Sequence, residues 1–77
     1  MVIVQKKFGE RLRELREKAD VSQEKLAEMA GLHRTYVSSV ERGKRNISLV
    51  NIQRIADALG VEMAALMPSR ASLRGKS

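Results

Sequence analysis

Apolar positions recur at helical spacing almost from the start of the chain. Phe8, Leu12, Leu15 and Ala19 follow at steps of four, three and four, which predicts an amphipathic helix over 7–19. Arg11, Arg13, Arg16 and Lys18 then lie outside it or at its edges. Glu14 precedes Lys18 by four positions, an attractive pair worth a few tenths of a kcal/mol. The Met-Val-Ile-Val run before it leaves three readings open: an extension of the helix, a strand paired with a neighbour, or a frayed end.

Further along, Ser22 is a good N-cap, and Leu26, Ala27 and Ala30 give the segment 23–30 one apolar side, ending at Gly31. After the turn Gly31-Leu32 a second helix fits 33–42, with Tyr36, Val37 and Val40 on one side and Gly43 as its stop. Ser48 caps a helix over 49–59, and Ile47 and Ile52 stand at the spacing of a hydrophobic staple. Leu49, Ile52, Ile55, Ala56 and Leu59 form its predicted buried arc, and Gly60 ends it. A last short helix spans 62–67, stopped by Pro68. The stretch SRASLRGKS that follows is polar and basic without periodicity. The pattern thus predicts an all-α, compact five-helix domain over 1–67 and a disordered basic tail over 68–77.

One face in this scheme has no folding role. Arg34, Thr35, Ser38, Ser39 and Arg42 project from the second helix of the central pair, opposite Tyr36, Val37 and Val40. A face needed only for solubility would carry Glu and Lys, which are better helix formers than Thr and Ser. Guanidinium groups and small hydroxyls are instead suited to base edges and phosphates, and the small side chains let the helix backbone approach a surface closely. Arg34 matches guanine O6 and N7 with its fork, Thr35 can offer a hydroxyl or touch a thymine methyl, and Ser38 and Ser39 reach base or phosphate at short range. Tyr36 divides its roles, with its ring at the core edge and its hydroxyl toward the DNA. Gln23 stands at a helix N-terminus, where amide donors and the dipole favour phosphate. His33, Arg42, Lys44, Arg45 and Asn46 complete the set of expected backbone contacts.

Residues 6–67 resemble the helix-turn-helix domain of the Cro and phage-repressor class, with SQEKLAEMAGL as the first motif helix and HRTYVSSVERG as the recognition helix. The run LHRTYVSSVERGKRNISLVNIQRIADALGV is more narrowly similar to the controller proteins of restriction-modification systems. The class resemblance implies an ion pair between Arg16, late in the first helix, and Glu41, late in the recognition helix. It also implies dimerisation through the final helices, which places two recognition helices about one DNA turn apart, ~34 Å, on a near-palindromic operator. The controller resemblance implies regulation of a restriction-modification operon, activating at low occupancy and repressing when a second dimer binds. Activation would require contact with RNA polymerase, for which Glu24 and Glu28 are the acidic candidates.

Composition narrows the partner. Fifteen Lys and Arg against nine Asp and Glu give a net charge of +6, which suits a polyanion. With Tyr36 and Phe8 the only aromatic residues, single strands held by base stacking are disfavoured and duplex DNA is preferred. No apolar run approaches the ~20 residues of a membrane span, so the expectation is a cytoplasmic protein with no membrane partner. Val50 lies outside the buried arc of its helix, and with Val61, Met63, Leu66 and Met67 it makes more apolar surface than one short helix needs. That surplus predicts a homodimer interface.

An enzyme would need a constellation that is missing. There is a single histidine, no cysteine, no glycine-rich phosphate cradle and no carboxylate cluster at metal spacing, so neither catalysis nor a cofactor or metal is expected. Among binding functions, an antitoxin of a toxin-antitoxin pair and a phage-type autorepressor are the alternatives to the controller.

Overall fold

Ile3–Lys18 forms one continuous helix, α1, in the computed structural model, which describes residues 2–74. Of the three readings of the apolar start, the helical extension is the one seen. Val2, Ile3 and Val4 nevertheless remain exposed, and the first buried residue of α1 is Phe8. Glu14 takes Arg11 rather than Lys18 as its ion-pair partner, while Arg13 holds Glu17 at 3.1 Å. Arg11 also donates from Nε to the carbonyl of Ala65 at 2.7 Å, a long-range tie absent from the sequence pattern.

Four further helices follow at the predicted places: α2 (Gln23–Ala30), α3 (Arg34–Glu41), α4 (Leu49–Leu59) and α5 (Met63–Leu66). Serine caps set the starts of α2 and α4 where predicted. Ser22 Oγ accepts from the Lys25 amide at 3.0 Å, and Ser48 Oγ accepts from the Asn51 amide at 3.1 Å. The end of α2 shows why a glycine stands at 31. Its φ of 71° lets the Leu32 amide reach back to the Ala27 carbonyl at 2.8 Å, and only a residue without a Cβ takes that turn at no cost.

The core joins all five helices. Phe8 and Leu12 of α1, Leu26, Ala27 and Ala30 of α2, Val37 and Val40 of α3, Ile52, Ile55 and Ala56 of α4, and Leu66 of α5 form one buried cluster. Each fully buried aliphatic side chain contributes roughly 1.5–3 kcal/mol, so these residues are what fixes the relative placement of α2 and α3. The closest backbone approach is at Gly9. A Cβ there would lie 2.5 Å from the Glu41 carbonyl oxygen and nearer still to that of Val40, so α1 crosses the end of α3 at a distance only glycine permits.

Three expectations are corrected. Leu49, expected in the buried arc, is 71% exposed. It is the first residue of α4, and Ile47, just before the Ser48 cap, packs against the core at that end. Leu66, expected at a subunit interface, has 0% of its surface exposed and belongs to the chain's own core. The segment expected to be without structure holds a short turn of helix, α6 (Arg70–Leu73), capped by Ser69 Oγ and packed on α1. Residues 75–77 of the predicted tail lie outside the described residues. No strand occurs among the described residues.

Candidate nucleic-acid interface

The position of α3 is determined from both sides. Its inner face is closed by Val37 and Val40, which α1 and α2 pack against. Its C-terminal end is held by polar contacts: the Glu41 carboxylate accepts from Arg16 Nε at 2.6 Å and Nη2 at 3.2 Å, and from Gln23 Nε2 at 3.0 Å. The third arm of Arg16, Nη1, donates to the Val21 carbonyl at 2.8 Å. Three elements therefore meet on one carboxylate whose side chain is only 4% exposed. The hydrogen bond to Glu41 holds the Arg16 guanidinium above its ordinary pKa, against the opposing effect of burial, so the guanidinium keeps its charge throughout the neutral range.

The outer face of α3 is as different as the sequence predicts. Arg34 and Thr35 are exposed, Ser38 and Ser39 are half-buried beside them, and Arg34 has no ion-pair partner among the described residues. The two serines are not equivalent. Ser39 Oγ donates back to the Thr35 carbonyl at 2.9 Å, which leaves it lone pairs to offer. Ser38 Oγ accepts from Arg42 Nη1 at 2.9 Å, which leaves it its hydrogen. The loop beyond is led by Gly43 (φ 74°), where a Cβ would lie 2.8 Å from the Lys6 Cα. Lys44, Arg45 and Asn46 follow, all exposed, with the Arg45 guanidinium carbon 5.2 Å from the centroid of the Tyr36 ring.

Residues 12–66 match the helix-turn-helix family model. The chain belongs to the helix-turn-helix family. It is 52% identical over 61 residues to the control protein C.BamHI of Bacillus amyloliquefaciens, covering 78% of this chain and 75% of that one. Control protein C.MunI of a Mycoplasma species is 51% identical over 61 residues, covering 78% and 82%. Among solved structures, the restriction-modification controller C.AhdI of Aeromonas hydrophila superposes with a TM-score of 0.81 at 56% identity, covering 82% of this chain and 96% of that one. The protein is a helix-turn-helix DNA-binding transcription regulator, with α2 and α3 as its motif helices.

Within the motif the structure gathers Arg34, Thr35, Tyr36, Ser38, Ser39, Arg42, Lys44, Arg45 and Asn46 on α3 and the loop after it. His33 stands at the N-cap position of α3 and makes no side-chain capping bond. Gln23 does reach the N-terminus of α2, yet its amide also braces Glu41, a link the spacing of residues does not reveal. Asn51 escapes the sequence pattern altogether. It donates from Nδ2 to the Tyr36 hydroxyl at 3.1 Å across fifteen positions, and a polar residue in the first turn of a capped helix carries no signal that distinguishes it. No helix among the described residues is long and apolar enough to cross a membrane.

Proposed function

We propose that this regulator is the controller of a restriction-modification operon and that it binds a short, near-palindromic duplex site as a homodimer. Two copies of α3 would enter successive major grooves ~34 Å apart. Arg34, Thr35, Ser38, Ser39 and Tyr36 read bases, while Gln23, His33, Arg42, Lys44, Arg45 and Asn46 hold the phosphate backbone. The observation that carries the reading is Arg34: an exposed guanidinium on a rigidly braced helix, with no carboxylate of the described chain to neutralise it. Similarity to three control proteins supports the operon assignment.

The interface proposed for the dimer centres on Val50, 58% exposed, and Met67, 42% exposed, with the exposed Leu49 added and Leu66 removed. Val61 and Met63 lean on the core and contribute what surface they have left. In this reading the dimer acts in the cytoplasm, activating at low occupancy through contact with RNA polymerase and repressing once a second dimer binds. Of the acidic candidates for that contact, Glu24 and Glu28, the latter already holds Lys25 at 3.1 Å.

A footprint on the DNA upstream of the protein's own reading frame, titrated at physiological salt, tests the whole. Two adjoining palindromes protected in sequence are expected. A single protected site would favour a simple autorepressor or an antitoxin, and no protection at micromolar protein would overturn the operator assignment.

A further inference from the structure

Tyr36 is the only tyrosine of the chain, and its half-buried side chain sits where α3 meets the start of α4. Asn51 approaches it from α4 with Nδ2 3.1 Å from the hydroxyl oxygen. Asn51 is itself well placed to hold still. Its backbone amide is bonded to Ser48 Oγ at 3.1 Å, and the next residue, Ile52, is buried in the core. The guanidinium of Arg45 lies over the ring of Tyr36, with its central carbon 5.2 Å from the centroid.

A phenolic hydroxyl has one hydrogen to give and lone pairs to offer. Left to rotate, it accepts from an adenine or cytosine amino group as readily as it donates to guanine O6, thymine O4 or a phosphate oxygen. Once a lone pair is engaged by the Asn51 N–H, the hydroxyl hydrogen points away from Asn51. We propose that Asn51 is a positioning residue for DNA recognition, fixing the Tyr36 hydroxyl as a donor and committing it to an acceptor on the duplex. The side chain that decides this polarity lies outside the motif helices, on an element with no other assigned part in the interface. The proposal rests on the reading that places Tyr36 toward the DNA.

Asn51→Asp tests it, because aspartate has the shape of asparagine but offers only acceptors. The carboxylate would take the Tyr36 hydrogen and turn a lone pair outward. Affinities are measured for four full-length proteins: the parent, Tyr36→Phe, Asn51→Asp and the double variant. The probes are a duplex spanning the DNA upstream of the protein's own reading frame and a random-sequence duplex of equal length. Repulsion between the new charge and phosphate is present with or without the hydroxyl and cancels in the cycle.

Tyr36→Phe is expected to weaken binding about tenfold in the parent and less than about twofold in the Asn51→Asp protein. Thermal stability supplies the control. The hydroxyl has a partner in both backgrounds and a charge-assisted one beside aspartate, so Tyr36→Phe lowers the midpoint at least as far in the Asn51→Asp protein as in the parent, while its effect on DNA runs the other way. A 13Cζ label on the single tyrosine moves between parent and Asn51→Asp if the bond reverses. Equal affinity losses in both backgrounds would leave Tyr36 on the DNA and overturn the role of Asn51. No loss in either would remove Tyr36 from the interface and overturn both.

Discussion

Arg16 and Glu41, twenty-five positions apart, share two hydrogen bonds, 2.6 Å from Nε and 3.2 Å from Nη2, and so fasten the end of the recognition helix to α1. The pair is largely buried, whereas Arg34 and Thr35 project from α3 exposed. Its part is to fix the direction in which they project, and because both side chains are largely buried, its loss would be costly.

Glu41→Ala should therefore destabilise the protein by about 3 kcal/mol, the lower end of what an orphaned buried charge costs, since Arg16 keeps 12% of its side-chain surface. In a domain of this size that lowers the thermal midpoint by roughly 12–24 °C. Replacing both partners, Arg16→Met with Glu41→Leu, should recover most of the loss, because no charge is left unpaired. Circular dichroism melts of the three proteins decide it. A double variant no more stable than Glu41→Ala would show that the pair is needed for its own sake. Alkali should not break the bridge in the working range. The raised Arg16 pKa means its contribution is complete below the ordinary arginine value and is lost only as pH climbs through the higher folded value.

Gly9→Ala offers a test by sign. In an ordinary helix interior the change stabilises by about 0.5–1 kcal/mol. Here the added methyl would press on the Val40 and Glu41 carbonyl oxygens, which are backbone atoms with no rotamer to escape into. We expect a loss of about 2 kcal/mol or more, in the range of overpacked cores. A stabilised Gly9→Ala protein would mean that α1 and α3 are less closely apposed.

The places where the chain can and cannot be read from its residues have physical causes. Helix starts at Gln23 and Leu49 follow from the serine before each, and α2 ends where Gly31 allows the backbone to reverse, all local chemistry. Thr35, Ser38 and Ser39 stand out because Thr and Ser are poor choices for a helix face that needs only water. Leu49 defeats the pattern because helical periodicity says which residues share a face but not where the core beneath that face ends. Leu66 defeats it for the converse reason: a surplus of apolar residues does not say which of them the chain buries itself. Gly9 and Asn51 are silent, since a glycine in a helix and an asparagine near a cap are ordinary until the fold brings α3 against them.

The exposed apolar end of α4 carries the proposed self-association. Val50→Glu places a charge on a side chain that is 58% exposed in the protomer, so the helical fold should be retained by far-UV circular dichroism at about 25 °C, with the midpoint lowered only by the stability that association supplied. Sedimentation equilibrium should show dimers giving way to monomers at micromolar concentration, and the full site should be bound little better than a half-site. Leu66→Glu, by contrast, should prevent folding, as Leu66 is buried within the protomer. If the Val50→Glu protein dimerises like the parent, the interface lies elsewhere.

Arg34 and Arg45 should fail in different ways, and the difference separates reading from holding. Arg34 is exposed on α3 with its donors unengaged by any carboxylate of the described chain, so its fork is available to a guanine edge. Arg34→Ala should cost ~1–3 kcal/mol on the operator and relax the preference at one base position in each half-site. Arg45 lies in the loop after the helix with its guanidinium over Tyr36, where a backbone phosphate is the natural counter-charge. Arg45→Ala should weaken specific and random duplexes alike and reduce the slope of log K against log salt by about 0.9 for each phosphate that is no longer neutralised. Binding isotherms on operator variants at several salt concentrations distinguish the two, because base preference and salt slope are independent readouts. Should both variants lose affinity with base preference unchanged, direct readout by Arg34 is wrong, and the specificity of α3 must come from its hydroxyl side chains or from the shape of the DNA.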